Sequence, residues 1–133
     1  AVPLPLERFV PAAAQGALGI ECRAGDARVL SILSPLNHQE TERTVRTERL
    51  LLARLEVGCH VPLGVHVTVS EGTLSLRAFL AYPDGRSPIR LELRGKDPEA
   101  LAAEAQEKLL AAGGGVILEM VSASLRKGLK REP

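Results

Sequence analysis

Residues 65–93, VHVTVSEGTLSLRAFLAYPDGRSPIRLEL, contain three runs in which apolar and polar side chains alternate. The separators between the runs are Glu-Gly and Pro-Asp-Gly, whose residues favour tight turns. The runs cover residues 65–70, 74–81 and 89–94. Alternation with a period of two is typical of strands that have one buried face, and short connections join antiparallel neighbours. This stretch therefore predicts a three-stranded antiparallel sheet with one apolar face.

A helix is predicted immediately before this sheet. Asn37 and Glu40 have the spacing of a capping box, which marks a helix N-terminus. The helix should run to about Leu55, and Gly58 is expected to end it in the left-handed conformation. Its apolar stripe is predicted to consist of Val45, Leu52 and Leu55, with Leu51 beside it.

Further helices are predicted after the sheet. Asp97-Pro98 combines an N-cap residue with a first-turn proline. The helical stripe that follows is Leu101, Ala105, Leu109 and Ala112, and Gly113 is expected to end it. Residues 116–121 fit a helix or a strand, and a helix is favoured because a helix pair covers the sheet better. The predicted fold class is α+β, a three-stranded antiparallel sheet with helices packed on one face.

The N-terminal part, residues 1–36, does not fit into that domain. Residues 1–12 are rich in proline and are expected to be a connector. Residues 17–22 are predicted to be a short, mostly buried strand, and Asp26 is expected to cap a short helix that stops at Pro35. One strand and one helix cannot bury their own apolar faces. We therefore expect this segment to belong to another domain, whose sheet it completes.

Composition limits the possible functions. The chain has 133 residues, a net charge of +1 and 2% aromatic residues. This balance predicts neither nucleic-acid binding nor attraction to an anionic membrane, and no apolar run reaches transmembrane length. The two cysteines, Cys22 and Cys59, predict free thiols and a cytoplasmic location. His38 and His66 lack ligand-like companions, so no metal site is expected.

The loop around Cys59 is the main candidate site. Residues 55–64, LEVGCHVPLG, place this cysteine between the end of a helix and the start of a strand. A loop thiol is accessible and suits covalent attachment, and Gly58 leaves space for a bulky group near the backbone. The alternative is that Cys59 is a small buried apolar residue, which is the most frequent role of a lone cysteine and fits Cys22 well. A catalytic pair with His60 is not favoured, because neighbouring side chains of an extended chain point to opposite sides.

Several ordered motifs resemble those of porphobilinogen deaminases (hydroxymethylbilane synthases). Residues 55–64 are similar to the family's cofactor-attachment loop, in which Gly-Cys-x-Val-Pro-x-Gly surrounds the attachment cysteine. Residues 14–23, AQGALGIECR, resemble its Gly-Gln-Gly-Ala-x-Gly-x-Glu-x-Arg segment, although Ala14 stands where the family usually has glycine and His60 stands where glutamine is common. Shorter matches are LNHQET at 36–41, TER at 47–49 and, more loosely, YPDG at 82–85.

The resemblance implies an enzyme of three domains. Such an enzyme joins four porphobilinogen molecules, through oligopyrrole intermediates, into the linear tetrapyrrole hydroxymethylbilane. It does so on a dipyrromethane cofactor that a thioether would fix to Cys59. Residues 37–130 would then be the C-terminal, cofactor-carrying domain, and residues 1–36 a connector followed by the last strand and helix of other domains.

The resemblance also implies roles for particular residues. Besides Cys59, the residues expected at the cofactor are Gln15, Gly16, Gly58 and Arg49, and Glu48 is expected to pair across a domain boundary. The catalytic carboxylate and the arginines that hold the substrate's acidic side chains would lie in the preceding domains 1 and 2. No catalytic residue is expected in this chain. The chain alone should therefore be inactive, and the complete enzyme is expected to be a monomer.

Two other interpretations remain open at this point. The chain could be a carrier or interaction module without catalysis that presents Cys59. It could also be a purely structural domain in which Cys59 is buried.

Overall fold

The computed structural model describes residues 2–58 and 60–129, with side chains as far as Ser124. Its helices and strands are α1 (Ala27–Leu33), α2 (Gln39–Leu55), β1 (Leu63–Ser70), β2 (Thr73–Leu80), β3 (Ile89–Gly95), α3 (Pro98–Leu109) and α4 (Gly115–Leu129). The strands form one antiparallel sheet in the order β1-β2-β3. The predicted α+β fold is confirmed. Across the described ranges, no helix combines the length and the apolar character that crossing a lipid bilayer requires.

The core lies between one face of the sheet and the helices. Leu74, Leu76 and Leu80 of β2 are completely buried, and Val65 and Val67 of β1 extend the same apolar face. The helices contribute Leu51 and Leu55 from α2, Leu101, Ala105 and Leu109 from α3, and Ile117 and Val121 from α4. The alternation that predicted the strands is therefore the alternation between this core and the opposite face of the sheet.

Helix α2 ends at Leu55 as predicted, but the residues that cap its two ends differ from the predicted ones. The N-cap is His38, whose Nδ1 accepts the Thr41 N–H at 3.3 Å, because Asn37 instead closes the preceding 3-10 turn by donating its N–H to the Ser34 oxygen. At the other end, Glu56 takes the left-handed conformation with φ 54°, so that Gly58 is not the terminating residue.

The buried stripe of α2 also differs from the predicted one. Thr47 and Glu48 are buried together with Leu51 and Leu55, whereas Val45 stays outside the core. The predicted stripe differs because a polar pair occupies the buried positions about two turns before Leu55. The Glu48 side chain reaches the edge of β1, whereas the Thr47 hydroxyl donates to the Arg43 oxygen of its own helix.

The helices after the sheet follow the prediction closely. The Asp97 carboxylate accepts the Ala100 N–H at 2.7 Å, as expected for an N-cap. Gly113, with φ 96°, breaks the helical path, and the chain continues as α4, which confirms a helix over 116–121. Ala112 is exposed and not part of the buried stripe, since the chain already widens into a π turn at Leu110–Gly114.

Residues 17–22, predicted to be a strand, do not form one in this chain. These residues have no regular structure, and Leu18 is 97% exposed. A strand needs a hydrogen-bonded neighbour, and among the described residues none is available to it. Cys22, predicted to be buried in that strand, is exposed. The short helix that follows is confirmed as α1, with Asp26 Oδ1 accepting the Val29 N–H at 3.1 Å.

Candidate functional site

The end of α2 leads directly into the candidate loop. The Glu56 N–H donates to the Ala53 oxygen at 3.2 Å and the Val57 N–H to the Leu52 oxygen at 3.3 Å. This pair of bonds around a left-handed residue is the Schellman termination of a helix. Val57 turns back to pack against the core. The chain therefore leaves α2 in a defined direction immediately before Gly58.

The far side of the loop is fixed as well. Val61 N–H donates to the Gly58 oxygen at 3.2 Å, which closes a turn across position 59. The Ala81 N–H then binds the Pro62 oxygen at 3.3 Å, which ties the loop to the end of β2. Gly58 and His60, on either side of position 59, are both exposed. Cys59 itself, the predicted attachment residue, lies outside the described residues.

Gly58 lies against the imidazole of His60. A Cβ atom at this position would lie 3.0 Å from Cε1 and 3.3 Å from Nδ1 of the His60 ring. Such contacts are tighter than normal packing, so a side chain here would displace the imidazole. That Gly58 leaves room for a bulky group stays a prediction, and its predicted role as helix terminator is wrong because Glu56 ends the helix.

Gln15 and Gly16 lie in a separate turn that follows the connector. The Gln15 side-chain oxygen accepts the Ala12 N–H at 3.1 Å, and the Ala17 N–H donates to the Ala14 oxygen at 3.1 Å. Gly16 has φ 86° and no atom within 4 Å of the place of a Cβ. Among the described residues, no hydrogen bond joins this turn to Gly58 or His60. The two predicted cofactor-binding segments are therefore not hydrogen-bonded to each other here.

The connector before this turn runs along the edge of β1 that is not paired with β2. The Val65 N–H donates to the Pro11 oxygen at 2.8 Å. At Gly64 the approach is so close that a Cβ would lie 2.5 Å from the Val10 oxygen. On the open face of the sheet, the Arg90 guanidinium donates to the Glu7 oxygen at 3.2 Å and lies 4.9 Å from the centre of the Phe79 ring. Residues 7–14 are thus packed onto the sheet along both its open face and its β1 edge.

Glu48 links α2, β1 and the connector. Its side chain is buried, and its Oε1 accepts the Val67 N–H at 2.7 Å. Its Oε2 accepts the Ala14 N–H at 2.6 Å, one residue before Gln15. His66 Nδ1 lies 3.7 Å from Oε1. Glu48 was predicted to pair across a domain boundary, which stays a prediction; within this chain it accepts two backbone N–H groups.

Arg49, the next residue, faces away from that cluster. It is exposed and lines a shallow groove on the outer side of α2 with Val45, Arg46, Leu50 and Ala53. Consecutive residues of a helix are about 100° apart, so burial of Glu48 at the β1 edge directs Arg49 outward. The structure does not bring Arg49 together with Gln15 or Gly16.

Sequence reasoning missed two residues that shape this region. Gly64 allows the close approach of Val10, and the only signal was its place as the last glycine of the 55–64 motif. Ala14 has φ 60°, a conformation that glycine adopts without strain. Its signal was that glycine is usual there in the resembled motif. Across the described part of the chain, no three His, Cys, Asp or Glu side chains come together as a metal site would require.

Comparison with known proteins adds independent findings. Residues 42–111 match the family model described as porphobilinogen deaminase, C-terminal domain. The chain is 43% identical over 127 residues to the porphobilinogen deaminase of Moorella thermoacetica, covering 94% of the chain and 41% of that protein. It is 42% identical over 122 residues to that of Geobacillus kaustophilus, covering 92% and 40%.

A third relative, the porphobilinogen deaminase of Trichlorobacter lovleyi, is 46% identical over 114 residues, covering 84% of the chain and 36% of the relative. The chain therefore spans about two fifths of the length of these curated relatives. Most of each relative has no counterpart in this chain.

Proposed function

The chain belongs to the porphobilinogen deaminase family, through its C-terminal domain, and from this membership we propose that it carries a dipyrromethane cofactor on Cys59. The observation that supports this most directly is the geometry on either side of position 59. A terminated helix precedes it, a hydrogen-bonded turn spans it, and both adjacent residues are exposed. The hydrogen bonds hold the backbone on both sides of position 59, and the side that the adjacent residues face is open to solvent.

The residues present suit a covalently bound group. Cysteine forms a thioether, which resists the hydrolysis that would threaten an ester of serine. A group that occupied the Cβ side of Gly58 would have to displace the exposed His60 imidazole, which lies 3.0 Å from that position. When bound, dipyrromethane supplies the terminal pyrrole to which incoming porphobilinogen is joined. This chain's own part is to hold that group through Cys59, with Gln15 and Gly16 facing it once the remaining domains are in place.

We further propose the activity of the whole protein of which this chain is a part. It condenses four porphobilinogen molecules head to tail and releases one ammonia at each step, and one water then cleaves the tetrapyrrole from the cofactor as hydroxymethylbilane. The carboxylate and the arginines for this chemistry would lie in the parts that the relatives have and this chain does not span. The chain by itself is expected to form no bilane. The whole protein is proposed to act in the cytoplasm as a monomer, without binding nucleic acid or a membrane.

The division into domains is part of the same proposal. Residues 37–130 form the cofactor-carrying domain, and residues 17–36 complete a sheet of a preceding domain. Two observations support this. Leu18 and Ile20 are exposed although they are large and apolar, and Ile32 and Leu36 of the adjoining helical segment are exposed too. Isolated exposed apolar residues are ordinary, but a cluster of this kind indicates a surface that another part of the protein covers.

The attachment is tested by intact mass measurement on the longer protein that contains this chain. We expect an increase of two pyrrole units, which Cys59→Ser abolishes and Cys22→Ser leaves unchanged. Cys22 must be replaced in any thiol-labelling version of the experiment, because it is exposed and would react in this chain. A protein that shows full bilane synthesis with serine at position 59 would refute the proposal.

A further inference from the structure

Glu48 is the buried charged residue of the described chain. Its side chain is 4% exposed, and both carboxylate oxygens are used by backbone N–H groups. Burying a carboxylate is unfavourable unless hydrogen bonds replace its water. A residue whose only task was to satisfy the Val67 N–H could be neutral and much shorter. The second bond, to Ala14, therefore requires its own explanation.

The Ala14 bond joins segments that are far apart in sequence. Thirty-four positions separate Ala14 from Glu48, whereas Val67 follows Glu48 by nineteen. Ala14 has φ 60° and Gly16 has φ 86°, so the chain changes direction at the point where the carboxylate holds it. A second carboxylate of α2 acts where the chain returns, since Glu42 Oε2 accepts from the Asn37 amide at 2.5 Å. The segment between these two anchoring points contains Leu18, Ile20, Ile32 and Leu36, which are exposed although they are large and apolar.

Glu48 also has a fixed relationship to the cofactor loop. It lies on α2 about two turns before the Schellman-terminated end of the helix, from which the chain leads to position 59. Hydrogen bonds between successive turns make the helix stiff, so that the distance from Glu48 to the end of α2 stays constant. The same side chain therefore relates the turn at Gln15–Gly16 to the loop flanked by Gly58 and His60, although among the described residues no hydrogen bond joins these two segments directly.

We propose that Glu48 is a positioning residue for the reaction: its bidentate carboxylate sets the placement of the Gln15–Gly16 turn, and with it the preceding domain, relative to the loop that carries Cys59. This inference rests on the proposed function. It assigns to Glu48 no contact with cofactor or substrate. Its effect on the reaction is exerted through Ala14 on one side and through α2 on the other.

The hydrogen-bonding part is tested in this chain by amide hydrogen exchange. In the unsubstituted chain, the Ala14 amide should be protected although its neighbours in the connector are largely exposed. Glu48→Gln removes one of two acceptors, because its amide group presents an N–H₂ in place of one oxygen. We expect exchange at Ala14 to accelerate about tenfold or more, since bonds to charged groups are among the stronger ones.

The matched control is Glu40→Gln, an exposed carboxylate in the first turn of the same helix. It should leave exchange at Ala14 and Val67 unchanged. The amides of Leu76 and Leu80 in β2 report global unfolding and should not change in either variant. An Ala14 amide that exchanges at the rate of an unstructured peptide in the unsubstituted chain would overturn the proposal, and this result does not depend on any variant folding.

The functional part is tested in the longer protein, with turnover expressed per molecule that carries the two-pyrrole mass. For Glu48→Gln we expect kcat to fall about tenfold while KM for porphobilinogen and the loaded fraction stay near their original values. A residue that only stabilised the fold would lower the loaded or folded fraction and leave kcat per loaded molecule unchanged, which would refute the positioning role. Absence of the two-pyrrole mass from the unsubstituted protein would instead refute the proposed function, so the two failures are distinguishable.

Discussion

Gly64 lies directly against Val10, and a Cβ atom on Gly64 would stand 2.5 Å from the Val10 carbonyl oxygen and 3.1 Å from its Cβ. The connector thus approaches the start of β1 as closely as two backbones can. The adjacent bond from the Val65 N–H to the Pro11 oxygen shows that this approach belongs to a hydrogen-bonded edge. Position 64 is therefore restricted to glycine by its neighbour across the edge.

Gly64→Ala should destabilise the chain by about 1–3 kcal/mol, the usual range for inserting an atom into a packed site. The physical cause is displacement of Val10 and loss of the Val65–Pro11 bond. Urea denaturation monitored by circular dichroism measures the change. Gly19→Ala is the control, since nothing lies within 4 Å of its Cβ position, and it should change stability by less than about 0.5 kcal/mol. Equal effects of the two substitutions would contradict the close approach.

Glu56→Gly should stabilise the chain by about 1 kcal/mol, because a non-glycine residue in the left-handed conformation is strained by roughly that amount. Glu56 has φ 54° at the end of α2. The midpoint of thermal unfolding should therefore rise. In Glu40→Gly, glycine enters the first turn of α2 in ordinary helical geometry, and the midpoint should fall. A lower midpoint for Glu56→Gly would show that the helix ends differently.

Ala14→Gly should also be stabilising, by about 0.5–1 kcal/mol, since φ is 60° at this position. The substitution keeps the N–H that Glu48 accepts, so exchange protection of that amide should persist or increase. Ala12→Gly serves as the reference, because Ala12 does not have a positive φ and gains only backbone freedom in the unfolded state. Destabilisation by both substitutions would argue against the turn geometry at 14–16.

His38→Ala should cost about 1 kcal/mol, the typical contribution of a side-chain N-cap. The imidazole Nδ1 accepts the Thr41 N–H and lies 2.8 Å from the Thr41 hydroxyl oxygen. His38→Asn retains an acceptor of suitable length and should keep or raise the stability. Chemical denaturation of the three proteins at one pH decides the comparison. If alanine and asparagine were equivalent here, the cap would have to lie at another residue.

Leu18→Ser combined with Ile20→Ser should change the stability of this chain by less than about 0.5 kcal/mol, because both side chains are exposed. In the longer protein the same pair should be clearly destabilising if residues 17–22 complete another sheet. Leu76→Ala, in the core, should cost about 2–5 kcal/mol in both proteins. A neutral pair in the longer protein would contradict the proposed domain division.

The sheet and the helices after it were predictable because local patterns and tertiary environment agree. Leu74, Leu76 and Leu80 alternate with polar residues, and the core lies on the side that this alternation indicates. Asp97 and Gly113 act at the ends of helices through local bonds and dihedral angles, which neighbouring sequence determines. The motif at residues 55–64 likewise predicted a loop at position 59, and the bond from the Val61 N–H to the Gly58 oxygen closes a turn there.

The remaining details depend on partners distant in sequence. Glu48 interrupts the apolar stripe of α2 because its neighbours are the edge of β1 and the connector, which no helical period indicates. Residues 17–22 have the composition of a strand but no adjacent strand among the described residues. Gly58, two residues after Glu56, would adopt the left-handed conformation with less strain than Glu56 does. A propensity scale selects Gly58, whereas the packing of Val57 fixes the termination two residues earlier.

The occupied edge of β1 has a consequence for how the protein behaves at high concentration. An unpaired strand edge is a template on which a second molecule can extend the sheet, and such growth leads to aggregates. At β1, the outward amides of Val65 and Val67 already have acceptors within the same chain. Open-ended association of copies through this edge is thereby blocked. At the opposite edge, β3 carries Arg90, Glu92 and Arg94, whose charges discourage stacking of identical strands.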